Sequence, residues 1–437
     1  QDYVIDIENT KLLKAKEYFR KSIELNDQFD PDTRAQLWIN YGNCLSGLGR
    51  TVEALSAYDK ALNIFPDHPM AKANLAIELY YFSNITRHSK FIVDAYEMLE
   101  DVLSSKKLES YASPNAIKSF KQHKNHLATL IEKQDINLDS DSSSNLYQNE
   151  NDYLEKYINF CLDNSFFLNL CYSCRKCSMC IQDNVSFSLL LDVDENNLFI
   201  RLSRVINEVK EQYAFSRFLL FQALNPNLNT IAFDEITSFV DNLDYAVYGF
   251  RVSSIKRAFE SAYNILDKIA NFLNDYLEIG LTYDPKINFT TNGEIWRKNN
   301  KEQLRTDLVN KANYHLFALY DIARELNLNY KNPSNDGYWG HLRRTRNALV
   351  HEYLILHLER PGWSTDADDK SLHMMYDEFV RQTFDLFKLI RSVIIYLIAM
   401  IDFEERKKYS NSNGLLAPLY TPNYDHQTFT PGIDEIL

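Results

Sequence analysis

The sequence predicts an all-α protein, and two observations carry that prediction. The 437-residue chain has only 11 Gly and 11 Pro, where average usage would give roughly 30 and 20. Turn-rich β-sandwiches and Gly-dependent α/β folds need more of both, so the shortage favours long helices joined by few turns. Apolar residues also recur at steps of three and four, as on one face of a helix. One such series is Phe259, Ala262, Tyr263, Leu266, Ile269, Ala270, Leu273 and Leu277, and a second is Phe379, Phe384, Phe387, Ile390, Ile394, Leu397 and Ile401.

The same periodicity places several helices in the second half of the chain. Helices are predicted near 196–224, 232–244, 250–279, 301–327, 339–359 and 370–408. Helices of this length pack side by side as a bundle, which is the architecture predicted for this half.

The first ~130 residues contain a repeated pattern. Its clearest unit has Trp38, Tyr41, Gly42, Leu45, Ala54, Tyr58, Ala61 and Pro66. These spacings resemble the tetratricopeptide repeat, in which small residues let two helices of a hairpin cross closely and a proline stops the second helix. Two less regular units flank it, around Ala15 and Ala76. The resemblance predicts TPR-like helical hairpins, which serve either as a scaffold for the neighbouring domain or as a groove for a partner.

Composition then divides the chain into five predicted parts. Residues 134–155 contain no Lys or Arg and six acids, as a linker would. From Asn411 onward there is no basic residue but there are three prolines, which predicts an extended tail. The predicted parts are a TPR-like repeat domain (1–133), the acidic, Ser-rich linker (134–155), a Cys-rich connecting segment (156–195), a helical bundle (196–408) and the tail (409–437).

Charge, apolar runs and cysteine content exclude some classes of protein. A net charge of −13 argues against a protein that coats nucleic acid along its whole surface. The longest apolar run, 393–401, has nine residues, against the ~20 that a membrane span needs. Six cysteines, four of them within ten residues, do not form the pattern of a secreted disulfide framework. A cytoplasmic protein without membrane contact is therefore expected.

One motif in the predicted bundle contains side chains suited to a chemical reaction. Arg346-Asn347-Ala348-Leu349-Val350-His351 matches the R-N-x-x-x-H signature and resembles that of the HEPN superfamily. The context fits, because the motif lies on the penultimate long helix of a bundle. The arrangement resembles a bacterial group that joins TPR units to a HEPN domain, and the resemblance covers most of the chain. It implies a fold of N-terminal TPR-like helical hairpins followed by a HEPN-type helical bundle.

The three motif residues suit metal-independent cleavage of RNA, in which the 2′-hydroxyl attacks the adjacent phosphate. His351 is the candidate for proton transfer, because its unperturbed pKa lies near neutral pH. Arg346 is the candidate for holding the phosphate, because a guanidinium is always charged and binds two oxygens at once. Asn347 lies one helical turn before His351 and can position the imidazole or a phosphate oxygen. No cofactor is expected to take part in this reaction.

Neighbouring residues extend the candidate site. Arg344, Asn347 and His351 fall on one stripe of a helix, whereas Arg346 is offset by about 100°. Arg343, Arg344 and Arg360 would make the cleft basic on an acidic protein and are candidate RNA-binding residues. The resemblance further implies a homodimer that pairs two such helices across one composite cleft. The alternative is an ordinary solvated basic face of a helix.

Tyr353 follows His351 by two residues and extends the motif to R-x4-H-x-Y. That form resembles HEPN toxins in which a partner nucleotidyltransferase adds AMP to the tyrosine. The chain contains 28 tyrosines, so the alternative is that Tyr353 only packs beside the cleft.

Cys171, Cys174, Cys177 and Cys180 recur at every third residue. Four thiolates can hold a structural zinc ion or an iron–sulfur cluster. Ten contiguous residues, however, must fold tightly to surround one ion, and successive steps of three drift by about 60° along a helix. Free thiols, zinc, an iron–sulfur cluster and a redox switch all stay open, and Cys161 is a substitute ligand.

Three functions follow from these features. The first is a HEPN-type endoribonuclease that cleaves single-stranded or loop RNA, including tRNA, under control of the TPR-like domain. The resemblance implies a role in antiphage defence or a toxin–antitoxin system, with a protein trigger or antitoxin bound to the TPR-like domain. The second is a non-catalytic TPR–HEPN adaptor for protein or RNA. The third is a metal-dependent sensor that uses the cysteine ladder.

Overall fold

The computed structural model confirms the all-α class. It describes residues 7–25, 28–86, 89–133, 152–170, 178–186, 188–191, 196–225, 234, 236–240, 244–282, 287–291, 293–298, 303–329, 336–359, 371–409 and 415–418. Within these ranges the chain forms two helical arrays, one in each half of the sequence.

The N-terminal array consists of antiparallel helices, each packed against its neighbours in sequence. Side-chain caps define where two of them begin: Asn9 accepts from Lys11 N and Leu12 N, and Asp30 accepts from Thr33 N. The helices are α1 (Thr10–Glu24), α2 (Pro31–Gly47), α3 (Thr51–Ile64), α4 (Pro69–Thr86), α5 (Lys90–Ser104), α6 (Leu108–Tyr111) and α7 (Pro114–Lys133).

The TPR-like hairpin is formed by α2 and α3. A methyl group added at Gly42 would lie 2.6 Å from Cε1 of Tyr58, so only a glycine permits this approach of the two helices. Ala54 and Ala61 are completely buried on the facing side. Helix α3 ends at Ile64, just before Pro66. The small residues of the pattern therefore lie where the sequence predicts a close helix crossing.

Within the described residues, the C-terminal array contains three long helices and several shorter ones. Its helices are α8 (Asp152–Asp163), α9 (Asn196–Leu224), α10 (Phe250–Tyr276), α11 (Thr306–Val309), α12 (Tyr314–Glu325), α13 (Gly340–His351) and α14 (Tyr376–Tyr409). Helix α10 packs against both α9 and α14. A 3-10 helix at Ser178–Ile181 lies between α8 and α9.

Within the described residues, β-strands form three short pairs beside the helices. Antiparallel pairs join β1 (Ser188–Leu191) to β6 (Leu415–Pro418) and β2 (Arg297–Lys298) to β3 (Gln303–Leu304). A parallel pair joins β4 (Leu354–His357) to β5 (Leu372–Met375). Part of the predicted extended tail is thus a paired strand, and 419–437 lie outside the described residues.

Several predicted helices are wrong in their extent. The one predicted over 301–327 is interrupted, because Ala312 adopts φ +50° and Asn313 caps a new helix by accepting from His315 N and Leu316 N. The one predicted over 339–359 ends at His351, and β4 follows; a short apolar run such as Leu354–His357 suits a strand or a helix equally well. The start of the one predicted over 370–408 is β5. Residues 236–240, predicted as part of a helix over 232–244, are irregular, and most others in that range lie outside the described residues.

Two hydrophobic cores correspond to the two arrays. One is formed by α2 to α7 and the other by α8 to α14 with the segments between them. Helix α14 contributes to both, because Ile395 and Ala399 pack in the N-terminal core and their neighbours Ile394 and Ile398 in the C-terminal core.

A buried cluster of charged residues joins the two arrays. Asp321 of α12 is fully buried and accepts from Lys16 Nζ of α1 at 2.7 Å and from Arg50 Nη1 at 3.2 Å. Lys16 Nζ also lies 2.8 Å from Glu325 Oε1, and Arg50 donates to Glu325 and to Glu53. Despite burial, the charges of Lys16, Arg50 and Arg324 hold the pKa of Asp321 well below its usual range. Two cations of the first array therefore neutralise two carboxylates of the second.

We expect Gly42→Ala to lower the free energy of unfolding by about 1–3 kcal/mol, because the added methyl must displace the buried Tyr58 ring. Urea denaturation followed by circular dichroism measures this change. Gly47→Ala on the same helix is the matched control: its methyl would meet the flexible Leu12 side chain at 3.4 Å, so a change within about 1 kcal/mol is expected. Equal effects of the two substitutions would contradict the close crossing.

We expect Asp321→Asn to lower the free energy of unfolding by about 3–5 kcal/mol at neutral pH, because it leaves Lys16 and Arg50 buried with too little negative charge. Since the pKa of Asp321 is depressed in the folded state, its stabilisation is present above the unfolded pKa and is lost as pH falls through the folded pKa. Asp377→Asn is the control, because its ion pair with Arg381 is exposed and should change stability by less than about 1 kcal/mol. If Asp321→Asn lowered the free energy of unfolding by as little as Asp377→Asn does, the cluster would not hold the arrays together.

Candidate active site

The motif helix α13 begins at a fixed point on the end of α12. Gly337 N donates to Asn327 O and Trp339 N donates to Glu325 O, both at 2.8 Å. A methyl group at Gly337 would lie 2.2 Å from Glu325 O, so the two backbone segments approach as closely as a glycine allows. On the inner face of α13, the buried hydroxyl of Thr345 donates to Gln382 Oε1 of α14 at 2.8 Å. These contacts fix the position and the rotation of the motif helix.

Arg346 lies on the side of α13 that faces α10. Its Nη2 is 3.2 Å from Asp267 Oδ2, and its guanidinium lies 5.7 Å from the centre of the Tyr263 ring. Burial raises the pKa of Asp267, while the charges of Arg346 and Arg343 lower it. The Nε of Arg346 is buried and has no hydrogen-bond partner in the described part of the chain. Arg346, the predicted phosphate-binding residue, is thus partly engaged by a carboxylate of the same chain.

Asn347 and His351 lie further around the helix, offset from Arg346 by about 100° and about 140°. Asn347 is half-buried, and its Oδ1 accepts from Arg346 Nη1 at 3.4 Å, which links the two motif residues despite their offset around the helix. His351 is exposed at the last residue of α13. Its imidazole has no hydrogen-bond or ion-pair partner among the residues that the structure describes. His351 is therefore open to a substrate.

The neighbouring arginines are less free than the sequence suggests. Arg343 Nη1 donates to Thr290 Oγ1 at 3.2 Å, and Arg344 Nη2 is 2.6 Å from Asp336 Oδ2. Arg344 is still half exposed. Arg360 lies outside the described residues. The described arginines beside the motif on α13 are therefore bound to neighbouring side chains and do not form a run of free cations.

Tyr353 is 75% exposed just beyond the end of the motif helix. Its backbone carbonyl accepts from Leu372 N at 2.8 Å, at the start of the β4–β5 pair. The side chain thus projects from a short ordered segment next to His351.

The site includes residues that the sequence analysis did not single out. Asp267, Thr290 and Asp336 are the partners of the three arginines. A pair of histidines lies beyond the motif: His357 Nε2 and His373 Nδ1 are 2.8 Å apart across β4 and β5. No spacing in the sequence indicates that pairing, because it depends on how β4 and β5 meet.

The cysteine ladder is only partly described. Cys171, Cys174 and Cys177 lie outside the described residues, and Cys180 is buried. Cys161 is also buried, and burial raises the pKa of its thiol to about 12. No group of three or more potential metal ligands occurs in the described ranges. Metal binding at the ladder stays a prediction.

Comparison with known families agrees with this architecture. The family model of the LA2681-like HEPN domain matches residues 194–404, and the model of the tetratricopeptide repeat matches residues 35–68. The chain therefore carries a HEPN domain of the LA2681-like family, preceded by a tetratricopeptide repeat, as its motifs predict. Searches of curated proteins and of solved structures found no match. None of the helices within the described ranges has the length and apolar character required to cross a membrane.

Proposed function

We propose that this protein is a metal-independent endoribonuclease. The observation that carries the proposal is the position of His351, which is exposed at the end of a rigidly held motif helix and one turn from Asn347. A HEPN domain implies RNA as the substrate, and an unoccupied imidazole is the group that proton transfer near neutral pH requires.

In the proposed reaction, the 2′-oxygen of a ribose attacks the adjacent phosphorus while the bond from phosphorus to the 5′-oxygen breaks. The 2′-hydroxyl proton passes to a base, and the departing 5′-oxygen receives a proton from an acid. The products are a 2′,3′-cyclic phosphate and a free 5′-hydroxyl. His351 supplies one of these proton-transfer groups, and the cationic Arg346 stabilises the negative charge that develops on the phosphate oxygens.

To stabilise a phosphate in this way, Arg346 must leave Asp267 and bind the substrate. A phosphodiester can accept two hydrogen bonds from a guanidinium, whereas Asp267 accepts one from Arg346, so a phosphodiester competes with Asp267 for this side chain. Burial raises the pKa of Asp267, which reflects a cost of keeping that carboxylate charged beside α13. Asp267 is thereby a built-in competitor of the substrate for Arg346.

A homodimer would supply the second set of groups. Several large apolar side chains are exposed around the end of α13, a surface that a second copy of the chain would cover. They are Tyr245, Tyr248, Phe250, Val350, Tyr353 and Leu358. We propose that two motif helices meet there and form one composite cleft.

We also propose an RNA target and a means of controlling cleavage. Single-stranded or loop RNA, with tRNA as one candidate, fits a small site on a protein of net charge −13 better than a long duplex does. Uncontrolled cleavage would harm the host cell, so we propose that a protein trigger or antitoxin acts through the TPR-like domain. Antiphage defence or a toxin–antitoxin system in the cytoplasm is the setting we propose. Arg343 and Arg344 would contact RNA, Tyr353 would be available for modification, and catalysis would need no cofactor.

One observation favours a second function. Arg346 and Arg344 are both held in ion pairs, with Asp267 and Asp336. A domain that keeps the motif in this state would act as an adaptor that binds protein or RNA without cleaving it.

The deciding experiment is incubation of total RNA and tRNA with the native protein and with His351→Ala, in the presence of EDTA. We expect the native protein to produce fragments that end in 2′,3′-cyclic phosphate, and we expect the variant to be slower by about 10²–10⁴-fold. Glu352→Gln, an exposed neighbour on the same turn, should cleave as the native protein does. Cleavage that survives in His351→Ala would contradict the assigned role, and no cleavage by any of the proteins, with candidate partners added, would favour the adaptor.

A second test concerns the competition for Arg346. In the His351→Ala background, Asp267→Asn should bind a single-stranded RNA about 5- to 10-fold more tightly, because the guanidinium no longer has a charged internal partner. Fluorescence anisotropy of a labelled oligonucleotide measures this affinity. Asp377→Asn, which removes a similar charge at an exposed ion pair that includes no motif residue, is the control. Weaker binding by Asp267→Asn would mean that Asp267 positions Arg346 instead of competing for it.

A further inference from the structure

Glu78 of α4 is a buried carboxyl group that takes no part in the proposed reaction. Only 1% of its surface is exposed, and neither carboxylate oxygen forms a hydrogen bond of normal geometry within the described part of the chain. No lysine, arginine or histidine among the described residues forms an ion pair with it. Buried carboxylates are nearly always paired or hydrogen-bonded, so the isolation of Glu78 requires a physical explanation.

The helices packed against α4 bring no positive charge to Glu78. These helices are α2, α3, α5 and α6. Burial raises the pKa of Glu78 to about 7, although the hydroxyl groups of Ser46 on α2 and Thr51 on α3 lower it. Tyr58 of α3 has its own pKa raised by burial and by the charge of Glu78. No described side chain of α5 or α6 is among the groups that shift the pKa of Glu78. The carboxyl group therefore changes its charge near neutral pH.

The polar neighbours of Glu78 belong to the turn that joins α2 to α3. Ser46 is in the last turn of α2, and Thr51 is the first residue of α3. The next residue, Val52, donates its backbone N–H to Tyr396 Oη of α14 at 2.9 Å. The surroundings of Glu78 are thus one residue away from a contact between the two arrays.

The same turn makes two further contacts with the C-terminal array. A methyl group added at Gly49, which has φ +78°, would lie 2.5 Å from Tyr314 O at the start of α12. Arg50 donates to Asp321 and Glu325 in the buried charge cluster. A displacement of the turn would therefore disturb the docking of the arrays at several points.

Ionisation of Glu78 carries a cost that a displacement of the turn would relieve. An unpaired carboxylate is disfavoured in a buried site relative to water, and water reaches Glu78 only if a neighbouring element moves. The pKa in the folded state lies above the value of about 4.3 in the unfolded chain, so the neutral form stabilises the fold. This stabilisation is complete below the unfolded pKa and is lost as pH rises through the folded pKa.

We propose that Glu78 is a pH-sensitive switch for the docking of the N-terminal array on the C-terminal array. When Glu78 is protonated, the α2–α3 turn rests against α12 and α14. When Glu78 is ionised, water enters beneath the turn and the contacts of Arg50 and Val52 loosen. The switch does not depend on whether the chain cleaves RNA.

The test is hydrogen–deuterium exchange of the full chain, read by mass spectrometry on peptides that cover residues 49–52. Native protein and Glu78→Gln, which keeps the shape of the side chain without its charge, are compared at the same pH so that the intrinsic exchange rate cancels. We expect the native-to-variant ratio of exchange rates to rise at least about tenfold between about pH 5.5 and about pH 8.5, because each unit of pKa shift is worth about tenfold.

Two further variants keep the test decisive. Glu78→Met removes the carboxyl group without adding an amide and should give the same rise in the ratio, even if the amide of glutamine fits poorly. Glu97→Gln on α5 removes an exposed carboxylate and is the matched control, whose ratio should change by less than about twofold.

A comparison with the core of α10 separates loosened docking from overall unfolding. At about pH 8.5 the turn of the native protein should exchange faster than residues 259–273, because local opening needs less free energy than unfolding of the whole chain. A native-to-variant ratio that does not change with pH would overturn the proposal. Equal exchange at the turn and in α10 would also overturn it, since Glu78 would then affect only overall stability.

Discussion

The buried cluster of Lys16, Arg50, Asp321 and Glu325 is the contact on which the arrangement of the two halves depends. Moving such charges out of water is costly, and the cost is recovered only when opposite charges meet in good geometry. Here two cations of the N-terminal array meet two carboxylates of α12 at distances near 3 Å. A different docking of the arrays would bury some of these charges without their partners, so the cluster favours one way of docking the TPR-like hairpins on the HEPN domain.

The same cluster lies at the base of the motif helix. Glu325 takes part through its carboxylate, and its backbone carbonyl accepts from Trp339 N, the residue that precedes α13. Glu325 therefore contacts both the N-terminal array and the residue that precedes the motif helix. Control of the motif helix by the docked N-terminal array, as proposed above, would act through these contacts.

Much of this organisation can be predicted from the sequence. Periodic apolar residues predict α9, α10 and α14, and the spacing of Gly42 and Tyr58 predicts a tight hairpin, because both signals are local. The short strand β4 was missed, since an apolar run of four residues has no decisive period and its partner β5 lies more than ten residues away. The ion pair of Arg346 with Asp267 spans 79 positions in sequence. Such a contact depends on how α10 and α13 pack, which no pattern of residue types records.

Helix α14 imposes a constraint of its own on how this protein can change over evolution. Ile394 and Ile398 pack in one core while Ile395 and Ala399 pack in the other. Inserting or deleting one residue would rotate everything beyond it by about 100°. Apolar side chains would then turn away from both cores at once, and no repacking within a single core could restore them. Homologous chains should accordingly tolerate substitutions along this stretch far more readily than changes in its length, and the two domains should be inherited as a unit.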